Sequence, residues 1–575
     1  MPPSRLPTCR LIPHTPPSRC CNPSSRPPTP RQFSHNSQLL LVVSPASPRP
    51  QLPFLYPSSR RLHPRTRNGQ WQLNRLLTTE RKKYIKDTAK LSVKFSIIFF
   101  AISSLGTIAS LAILSEQQER AFPSPPEWSL ITKYYFRNGR WEEVAENNQS
   151  GVPDWVKTYF QFMGALDRLE DTSKDGAGLT EQEEGGIIVP GVGKAGFDIT
   201  GKSEEWRQGY YEVLIGMGRA AEHIDGWVVE KTTKRGHKLA WPPEHIKTAS
   251  NPKPRPPPPR APDPPLEENC ELISKPPETY YLKILTTPGF TSHQRLTAAL
   301  SYADWLAFKG LNESAEEMYQ WGLDIACAGL PDPTNVVNGK TGVIFASAPS
   351  VTPNVVLAAT TMATHYATTG DVATALPIFL SVLRARRAAP PAPIAPPPPE
   401  VESSIWNSIR QFVETPSYPA LPPTGDEPLV RSPSDVCEEA TLMNFISEIL
   451  FATASSDAQR SAGLSWAREA VQTAKSYTPS EPVDQKARRK CMECEEAGLD
   501  NWSKMMGRLV KDAKAKAEKS PGWKGWIGLG GKSDEVEKLE SEEKDVLRRL
   551  EKVSDLIMKE KYEEADRAAA RMFVI

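Results

Sequence analysis

The first 79 residues of this 575-residue chain contain no Asp, no Glu and no Lys, although they contain 11 Arg and many Ser. This composition is typical of a mitochondrial transit peptide. A secretory signal would place its apolar segment close to the N-terminus, whereas the first apolar run, LLLVVSPA (39–46), is short and begins late. RQFSHNS (31–37) predicts a processing cut after Phe33, and SSRRLHP (58–64) is an alternative region. An unprocessed tail is the other interpretation.

Cys and His are also scarce, with eight residues of each. Three of each lie in the leader, and the five later cysteines are too scattered to predict a disulfide framework. CMEC (491–494) has the CxxC spacing, but it lies in sequence that predicts a helix, and neither a second pair nor a nearby His completes a zinc site. We expect Cys491 and Cys494 to be a partly buried helical pair, with a redox role as the alternative.

Net positive charge is confined to the N-terminal part of the chain. Residues 1–94 carry 17 Lys and Arg against two acidic residues, so the rest of the chain has an acidic excess. The acidic part has no stripe of basic residues interleaved with aromatics, which argues against a nucleic-acid partner.

The run from Phe95 to Leu114 has 20 residues without a charge, about the length that spans a bilayer. A core helix of this length would normally have a polar face, so a membrane span is favoured over a core helix or a signal sequence. Cations from Arg81 to Lys94 precede it and Glu116 follows it. The positive-inside bias therefore predicts residues 1–93 in the matrix and everything after residue 115 in the intermembrane space, with the chain crossing the inner membrane once.

The remaining sequence predicts helices separated by proline-rich segments. Strong helical patterns occupy 127–146, 152–171 and 203–225, and the last begins with Ser203 as its N-cap. VVNGKTGVI predicts a hairpin with an Asn-Gly turn. We divide the chain into a disordered transit leader (1–79), a basic flank (80–94), a transmembrane helix (95–114), a TPR-like helical region with a Gly-rich loop (115–250), a Pro-rich linker (251–268), central repeats (269–388), a Pro-rich insertion (389–434) and C-terminal TPR-like helices (435–575).

Two central segments share a spacing typical of tetratricopeptide repeats (TPRs). When they are aligned on Gly310 and Gly370, small residues recur where two antiparallel helices cross closely, and larger ones fill the gaps between neighbours. The fold predicted is therefore all-α, a TPR-like solenoid of helical hairpins. An unrelated amphipathic bundle is the alternative. The predicted packing residues are Ala303, Leu306, Gly310, Ala315, Tyr319, Ala363, Tyr366, Gly370, Ala375 and Phe379.

Weaker copies are expected on both sides of the central repeats. One would place Tyr135, Gly139, Trp141 and Val144 in the repeat positions, and two more would occupy 436–475 and the helix-rich segment around CMEC. A last copy would use Val553, Leu556, Tyr562, Ala565 and Ala569.

The first helices of TPR hairpins line a concave surface that can hold a peptide. The aligned spacing gives candidates for this groove, with packing against a loop as the alternative for each. The groove candidates are Thr297, Leu300, Asp304, Ala307, Phe308, Leu357, Thr360, Thr364 and Thr368. Their mixed apolar and hydroxyl character favours loose recognition of many clients.

No sequence motif predicts catalysis or a cofactor. GWKGWIGLGGKS (522–533) ends in Gly-Lys-Ser, but Trp526 stands where a phosphate-binding loop needs its first Gly, and NGKTG (338–342) fails in the same way at Thr334. His365 is expected to be a packing residue. We therefore predict no enzyme, no cofactor, no metal and no small-molecule substrate.

The leader, the single span and the degenerate repeats together resemble the TPR-repeat adaptor subunit of the i-AAA protease supercomplex in fungal mitochondria. The resemblance covers roughly residues 80–575. It implies a non-catalytic inner-membrane adaptor in protein quality control, with the i-AAA protease complex and unfolded or membrane-anchored client proteins as partners. An inner-membrane assembly or tethering factor for a respiratory complex is the alternative, and an enzyme within the Gly-rich loops is a third reading that lacks a site.

Overall fold

The computed structural model describes residues 79–148, 151–181, 196–231, 239–257, 259, 261–393, 418–432, 434–476, 485–519 and 534–573. The predicted leader with its cut after Phe33, most of the Gly-rich loop, much of the Pro-rich insertion and the Gly-Lys-Ser segment lie outside these residues. The chain divides into two compact units, Met1–Phe99 and Phe100–Ile575.

The described residues form 13 α-helices and five short strands, which confirms the all-α prediction. The helices are α1 (Thr79–Ala121), α2 (Leu130–Glu143), α3 (Trp155–Leu169), α4 (Glu204–His223), α5 (Glu278–Thr286), α6 (Ser292–Phe308), α7 (Asn312–Ala328), α8 (Pro353–Thr369), α9 (Val372–Ala388), α10 (Asp435–Ala452), α11 (Asp457–Ser476), α12 (Gln485–Lys519) and α13 (Asp534–Phe573). Short 3-10 helices occupy Ala145–Asn147, Pro243–His245, Glu267–Asn269 and Pro333–Asn335.

Helix α1 contains the apolar run from Phe95 to Leu114, and none of its 43 residues is buried. It is long and apolar enough to cross a membrane. Thr107 and Ser110 lie within the run, and each hydroxyl donates to the carbonyl of the residue four positions earlier. These polar side chains therefore present no unpaired donor to an apolar solvent.

From α2 onward, each helix packs against the next one in the chain. The aromatic ring of Phe162 in α3 is fully buried between α2 and α4. A Cβ atom on Gly139 of α2 would come within 2.7 Å of this ring, and one on Gly216 of α4 within 2.5 Å. The prediction that Gly139 occupies a turn between two repeat helices was wrong, because α2 continues through it to Glu143. Gly139 is there because it permits close approach to Phe162.

Ser203 caps α4 as predicted, by accepting from the Trp206 backbone N–H. Thr291 and Gln294 form a capping box at the start of α6, which the sequence analysis did not identify. Gly310 and Gly370 have φ angles of 79° and 95°, respectively, and stand between α6 and α7 and between α8 and α9. This left-handed conformation ends each helix with little strain only if the residue is Gly. Both predicted hairpins are therefore confirmed as helix pairs.

Two small sheets lie in the connections, and the sequence reading missed both. Strand β1 (Thr180–Glu181) pairs antiparallel with β2 (Phe197–Asp198). Strand β3 (Val228–Glu230) lies between β4 (Ala240–Trp241) and β5 (Cys270–Leu272), with Val228 opposite both Trp241 and Leu272. Strands of two or three residues are too short to show the alternating pattern on which prediction depends.

The segment VVNGKTGVI does form a hairpin-like turn, in which Val337 pairs with Ile344. The left-handed glycine is Gly342, not Gly339, and the Gly342 N–H donates to the Asn338 carbonyl at 2.8 Å. The loop is therefore longer than the predicted two-residue Asn-Gly turn.

Helices α10 and α11 confirm the predicted pair within 436–475. Helices α12 and α13 have 35 and 40 residues, respectively. The prediction of a last helical hairpin around Tyr562 was wrong, because α13 runs through this segment without a turn. A second hydrophobic core joins α11, α12 and α13 through residues including Val471, Trp502, Met506 and Val546.

Candidate functional site

Helices α4, α6 and α8 lie side by side, and we call this set the helix row. The Gln294 side-chain amide donates to Gln208 at 2.7 Å, which joins α6 to α4. On the other side, His293 Nδ1 lies 2.9 Å from Asn354 Oδ1, which joins α6 to α8. Two of its members, α6 and α8, carry all the residues that the sequence predicts to line a peptide groove.

The predicted packing residues lie where the repeat spacing places them. Ala303, Ala315, Ala363, Ala375 and Phe379 are fully buried, and Tyr319 is 3% exposed. Leu306 and Tyr366 are half-buried, whereas the two turn glycines are exposed. These small buried residues allow neighbouring helices to approach closely. His365 is 5% exposed and its ring lies 4.7 Å from that of Tyr319, so its predicted role in packing is confirmed.

The groove candidates differ among themselves in exposure. Leu300 is 5% exposed and its side chain lies against Gly322 of α7, so it is a packing residue and its assignment to the groove was wrong. The exposed candidates are Asp304, Phe308 and Thr368, and the half-buried ones are Thr297, Ala307, Leu357, Thr360 and Thr364.

The threonine hydroxyls of the row donate to their own helices. Thr360 Oγ1 donates to the Val356 carbonyl, four residues earlier, at 2.7 Å. Thr297 and Thr364 likewise donate to the carbonyls four residues before them, at 2.8 and 2.9 Å, respectively. Thr368 donates to the His365 carbonyl at 2.9 Å. The predicted recognition of clients through hydroxyl donors is therefore weakened, because these donors are already used.

A cluster of carboxylates and tyrosines lies toward the C-terminal ends of the row, which sequence reasoning missed. Tyr281 OH donates to Glu222 of α4 at 2.7 Å, and Tyr319 OH donates to Asp304 of α6. Tyr366 OH of α8 donates to Glu316 at 2.7 Å. We call these three pairs the acid–tyrosine cluster. Nothing in the local sequence marks it, because each pair joins two different helices.

Burial sets the electrostatics of this cluster. Desolvation raises the pKa of Glu222 to about 7, and the charge of Asp304 adds to the shift. Desolvation also raises the pKa of Asp304, although that residue is partly exposed to solvent. The pKa of His365 is lowered by burial, which favours its neutral form. The Glu222 carboxyl therefore changes its charge close to neutral pH.

An extended segment crosses the N-terminal ends of the row. We call residues 418–431 the strap. The Asn354 side chain is fully buried and donates to the Thr424 carbonyl at 3.0 Å and to Asp426 at 2.9 Å. The Asn354 backbone N–H donates to the Gly425 carbonyl at 3.1 Å. The strap thus covers the start of α8, and Leu421 extends it to a 140 Å³ cleft beside α4 and α6.

The strap ends in an ion pair with a buried carboxylate. Arg431 donates to both carboxylate oxygens of Glu439 in α10, at 2.6 and 2.9 Å, and Glu439 is 1% exposed. Such a bidentate pair fixes the orientation of both groups. The central helices and α10 are therefore connected through the described end of the Pro-rich insertion.

Cysteine chemistry occupies a separate place in the fold. Cys437 of α10 and Cys491 of α12 form a disulfide, with their Cα atoms 4.9 Å apart. Cys494 is a free thiol whose Sγ lies 3.0 Å from Thr441 Oγ1, and burial raises its pKa. CMEC is helical and partly buried, as expected, but the bond to Cys437 was not foreseen, because 54 residues separate the partners.

Each carboxylate of the cluster is held by a tyrosine, and His365 packs against an aromatic ring. Among the residues the structure describes, no group of three or more His, Cys, Asp or Glu could hold a metal ion. Comparison with protein-family models, with curated proteins and with solved structures finds no match for this chain.

Proposed function

We propose that this protein is a non-catalytic adaptor of the mitochondrial inner membrane. It binds unfolded or membrane-anchored client proteins on its helix row and helps to deliver them to the i-AAA protease. The sequence resemblance supplies the identity of the protease, and the geometry of the row supports the binding role.

The observation that carries this proposal is the row itself, attached through the chain to a helix of membrane-spanning length. Helices α4, α6 and α8 present half-buried apolar and methyl groups with Phe308, which is 80% exposed, at one end. Beside them the acid–tyrosine cluster would attract basic client segments. A surface with few free donors selects weakly among sequences, which suits a receptor for many clients.

The disulfide supports the proposed topology. Disulfides persist in oxidising compartments and are rare where glutathione and thioredoxin keep thiols reduced. The cations from Arg81 to Lys94 favour the matrix side for the N-terminus. Together these features favour the intermembrane space for the body that contains Cys437 and Cys491.

Site-specific photocrosslinking in mitochondria tests the client role. A photoreactive residue at Phe308 or Leu357 should capture many proteins together with the ATP-dependent protease. The same residue at Leu547 of α13, which is 47% exposed, is the control position and should capture neither set. Equal capture from both positions would contradict the proposal.

Protease protection tests the topology independently. A C-terminal tag should be resistant in intact mitochondria and become digestible once the outer membrane is opened. A tag that stays protected in mitoplasts would place the body in the matrix and overturn the proposed localisation.

The second candidate is an inner-membrane assembly or tethering factor for a respiratory complex. The strap supports this second candidate. Its hydrogen bonds with Asn354 cover one end of the helix row and leave a shorter surface for an extended client. Capture of a single respiratory complex at Phe308, without the protease, would support this candidate and exclude the adaptor role.

A further inference from the structure

Helix α2 begins with an exposed apolar surface. Leu130 is 80% exposed, Ile131 is 55% exposed and Tyr134 is 57% exposed. Tyr134 lies four positions after Leu130 and three after Ile131, so its side chain neighbours both on the helix surface and connects the three into one patch. We call them the α2 patch. The opposite side of α2 is buried in the core through Thr132 and Phe136.

The α2 patch belongs to a helix that is bonded directly to the end of the apolar run. Arg137 is 5% exposed, and its guanidinium donates to the Ser115 carbonyl at 2.8 Å and to Ser115 Oγ at 3.0 Å. It also pairs with Glu119 at 3.2 Å. Ser115 is the residue that directly follows Leu114, where the uncharged run ends. Both residues lie in the same compact unit as α2.

Two further contacts give the direction of α2. Asn138 accepts from the Gln118 side chain at 3.3 Å, and the Arg140 guanidinium lies 5.9 Å from the centre of the Phe122 ring. Later residues of the α1 end therefore contact later residues of α2, so the two segments run in the same general direction. The Arg137 Nε also donates back to the Lys133 carbonyl at 3.1 Å, so the guanidinium is turned toward the start of α2.

The first turn of α2 consequently points back toward the apolar run. At 1.5 Å per residue, Tyr134 and Leu130 lie about 4.5 and 10 Å before Arg137 along the helix. The charges at the other end of α2 are engaged within the body, where Glu143 pairs with Arg219 at 2.9 Å. The N-terminal end of α2 is thus apolar and exposed and points toward the apolar run. Its C-terminal end is ion-paired with the body.

We propose that the α2 patch lies in the interface of the bilayer that α1 crosses, so that two elements hold the body against the membrane. This inference rests on the proposed membrane anchoring by α1, although not on the adaptor role. The occupant is lipid because the patch lies on the part of α2 that points toward the apolar run, where that run ends at Leu114. Tyr is also enriched where membrane and water meet, and interfacial helices bury their apolar face in the boundary between headgroups and acyl chains.

Depth-dependent quenching in vesicles tests the inference on the full chain. A small fluorescent amino acid is introduced at Ile131 in phosphatidylcholine–phosphatidylglycerol vesicles, with a nitroxide group on the upper acyl chain as the quencher. We expect the fluorescence at this position to fall by about half, since an interfacial side chain lies within 5–10 Å of the headgroup boundary. The control position is Phe308, which is 80% exposed against 55% for Ile131 but lies at the end of α6 and should remain unquenched.

A probe at Ile108, in the middle of the apolar run and measured with the nitroxide near the end of the acyl chain, separates the two proposals. Quenching at both Ile108 and Ile131 supports the inference. If Ile108 is quenched and Ile131 is not, α1 spans the bilayer but the patch does not touch it, and the inference fails alone. If Ile108 is unquenched, membrane anchoring and the inference fail together.

A second variant removes the patch and leaves the fold intact. Leu130→Gln combined with Ile131→Gln should abolish quenching of a probe at Tyr134, because the apolar side chains that enter the bilayer are gone. Helix α2 should stay folded, because both side chains are exposed. The paired control, Phe308→Gln with Leu311→Gln, should leave that quenching unchanged. Photocrosslinking at Ile131 to another polypeptide in mitochondria, with no lipid adduct, would show that the patch binds a protein and would overturn the inference.

Discussion

The central helices α6–α9 and the C-terminal helices α12 and α13 contain similar residue spacings but fold differently. Each central helix has 17 residues, whereas α12 and α13 have 35 and 40. The central pairs are interrupted by Gly310 and Gly370 at positive φ. Helix α13 has Glu560 seven residues after Val553, where a repeat would have its glycine, and it continues unbroken. The apolar spacing therefore decides which face packs, and the turn glycine decides whether there are two helices or one.

The two regions also differ in how neighbouring helices are held. In the centre, fully buried alanines such as Ala303 and Ala363 let helices approach closely. Between α12 and α13, a smaller apolar core is bordered by ion pairs that include Lys514 with Glu540 at 2.7 Å and Arg488 with Glu560 at 3.3 Å. Exposed ion pairs contribute little each, so the α12–α13 pair depends more on its few large core residues.

The largest expected effect comes from the central core. Phe379→Ala should lower the free energy of unfolding by about 3–5 kcal/mol, because the ring is fully buried and packs against Phe445 at 5.4 Å between ring centres. Urea unfolding of the full chain in detergent measures it. Phe308→Ala is the control and should change stability by less than about 0.5 kcal/mol, as expected for a surface residue. Equal losses for both variants would contradict the assignment of the core.

Removing the disulfide should have the next largest effect, in the C-terminal region. Cys491→Ala opens a loop with a sequence separation of 54 residues, and we expect a loss of about 2–4 kcal/mol. Cys494→Ala is the control, because this thiol is free and its replacement should cost about 1 kcal/mol. Reductant should destabilise the unaltered chain and leave Cys491→Ala unchanged. An unaltered chain that is insensitive to reductant would show that the bond is absent.

The turn glycines give a matched pair of smaller effects. Gly370→Ala should destabilise by about 1–2 kcal/mol, because alanine is strained in the left-handed conformation. Glu560→Gly places glycine at the aligned position of α13 and should also destabilise, by about 1 kcal/mol, since glycine weakens a helix interior. If Glu560→Gly stabilised the chain, α13 would contain a turn there and the difference between the regions would disappear.

The smallest expected effect is a dependence on pH. The pKa of Glu222 is about 7 in the folded chain, against an ordinary value of 4.5, so the folded state holds an extra proton between these pH values. Stability should therefore fall as pH rises from 4.5 to 7, by about 1 kcal/mol after allowance for solvent screening. Glu222→Gln still accepts from Tyr281 but does not titrate, so its unfolding free energy should lack this slope. Identical pH profiles for the two proteins would contradict the shift.

The sequence allowed prediction of those elements whose signals are local. The start of α4, the turns at Gly310 and Gly370 and the buried alanines all depend on residues within one or two helical turns, and the structure confirms them. The span-length helix was predictable for the same reason, since a run of 20 uncharged residues needs no tertiary context.

The misses share a cause in long-range contact. Gly139 appeared to be a turn residue because its true partner, Phe162, is visible only once α2 and α3 pack together. Leu300 appeared to face the groove because nothing in its own helix shows that Gly322 leaves room for it. The acid–tyrosine cluster, the strap and the Cys437–Cys491 bond each join segments far apart in the chain. Most of the candidate site was therefore outside the reach of sequence reasoning.

The covalent loop between α10 and α12 would set an order of events under the proposed topology, in which the body crosses the outer membrane. A polypeptide that is threaded through a narrow membrane pore passes as a single extended strand, which a closed loop with a sequence separation of 54 cannot do. Both thiols would therefore have to remain reduced until transit is complete. The last third of the chain would gain its full resistance to unfolding only after arrival, and a molecule stalled in transit would remain an easy substrate for proteolysis.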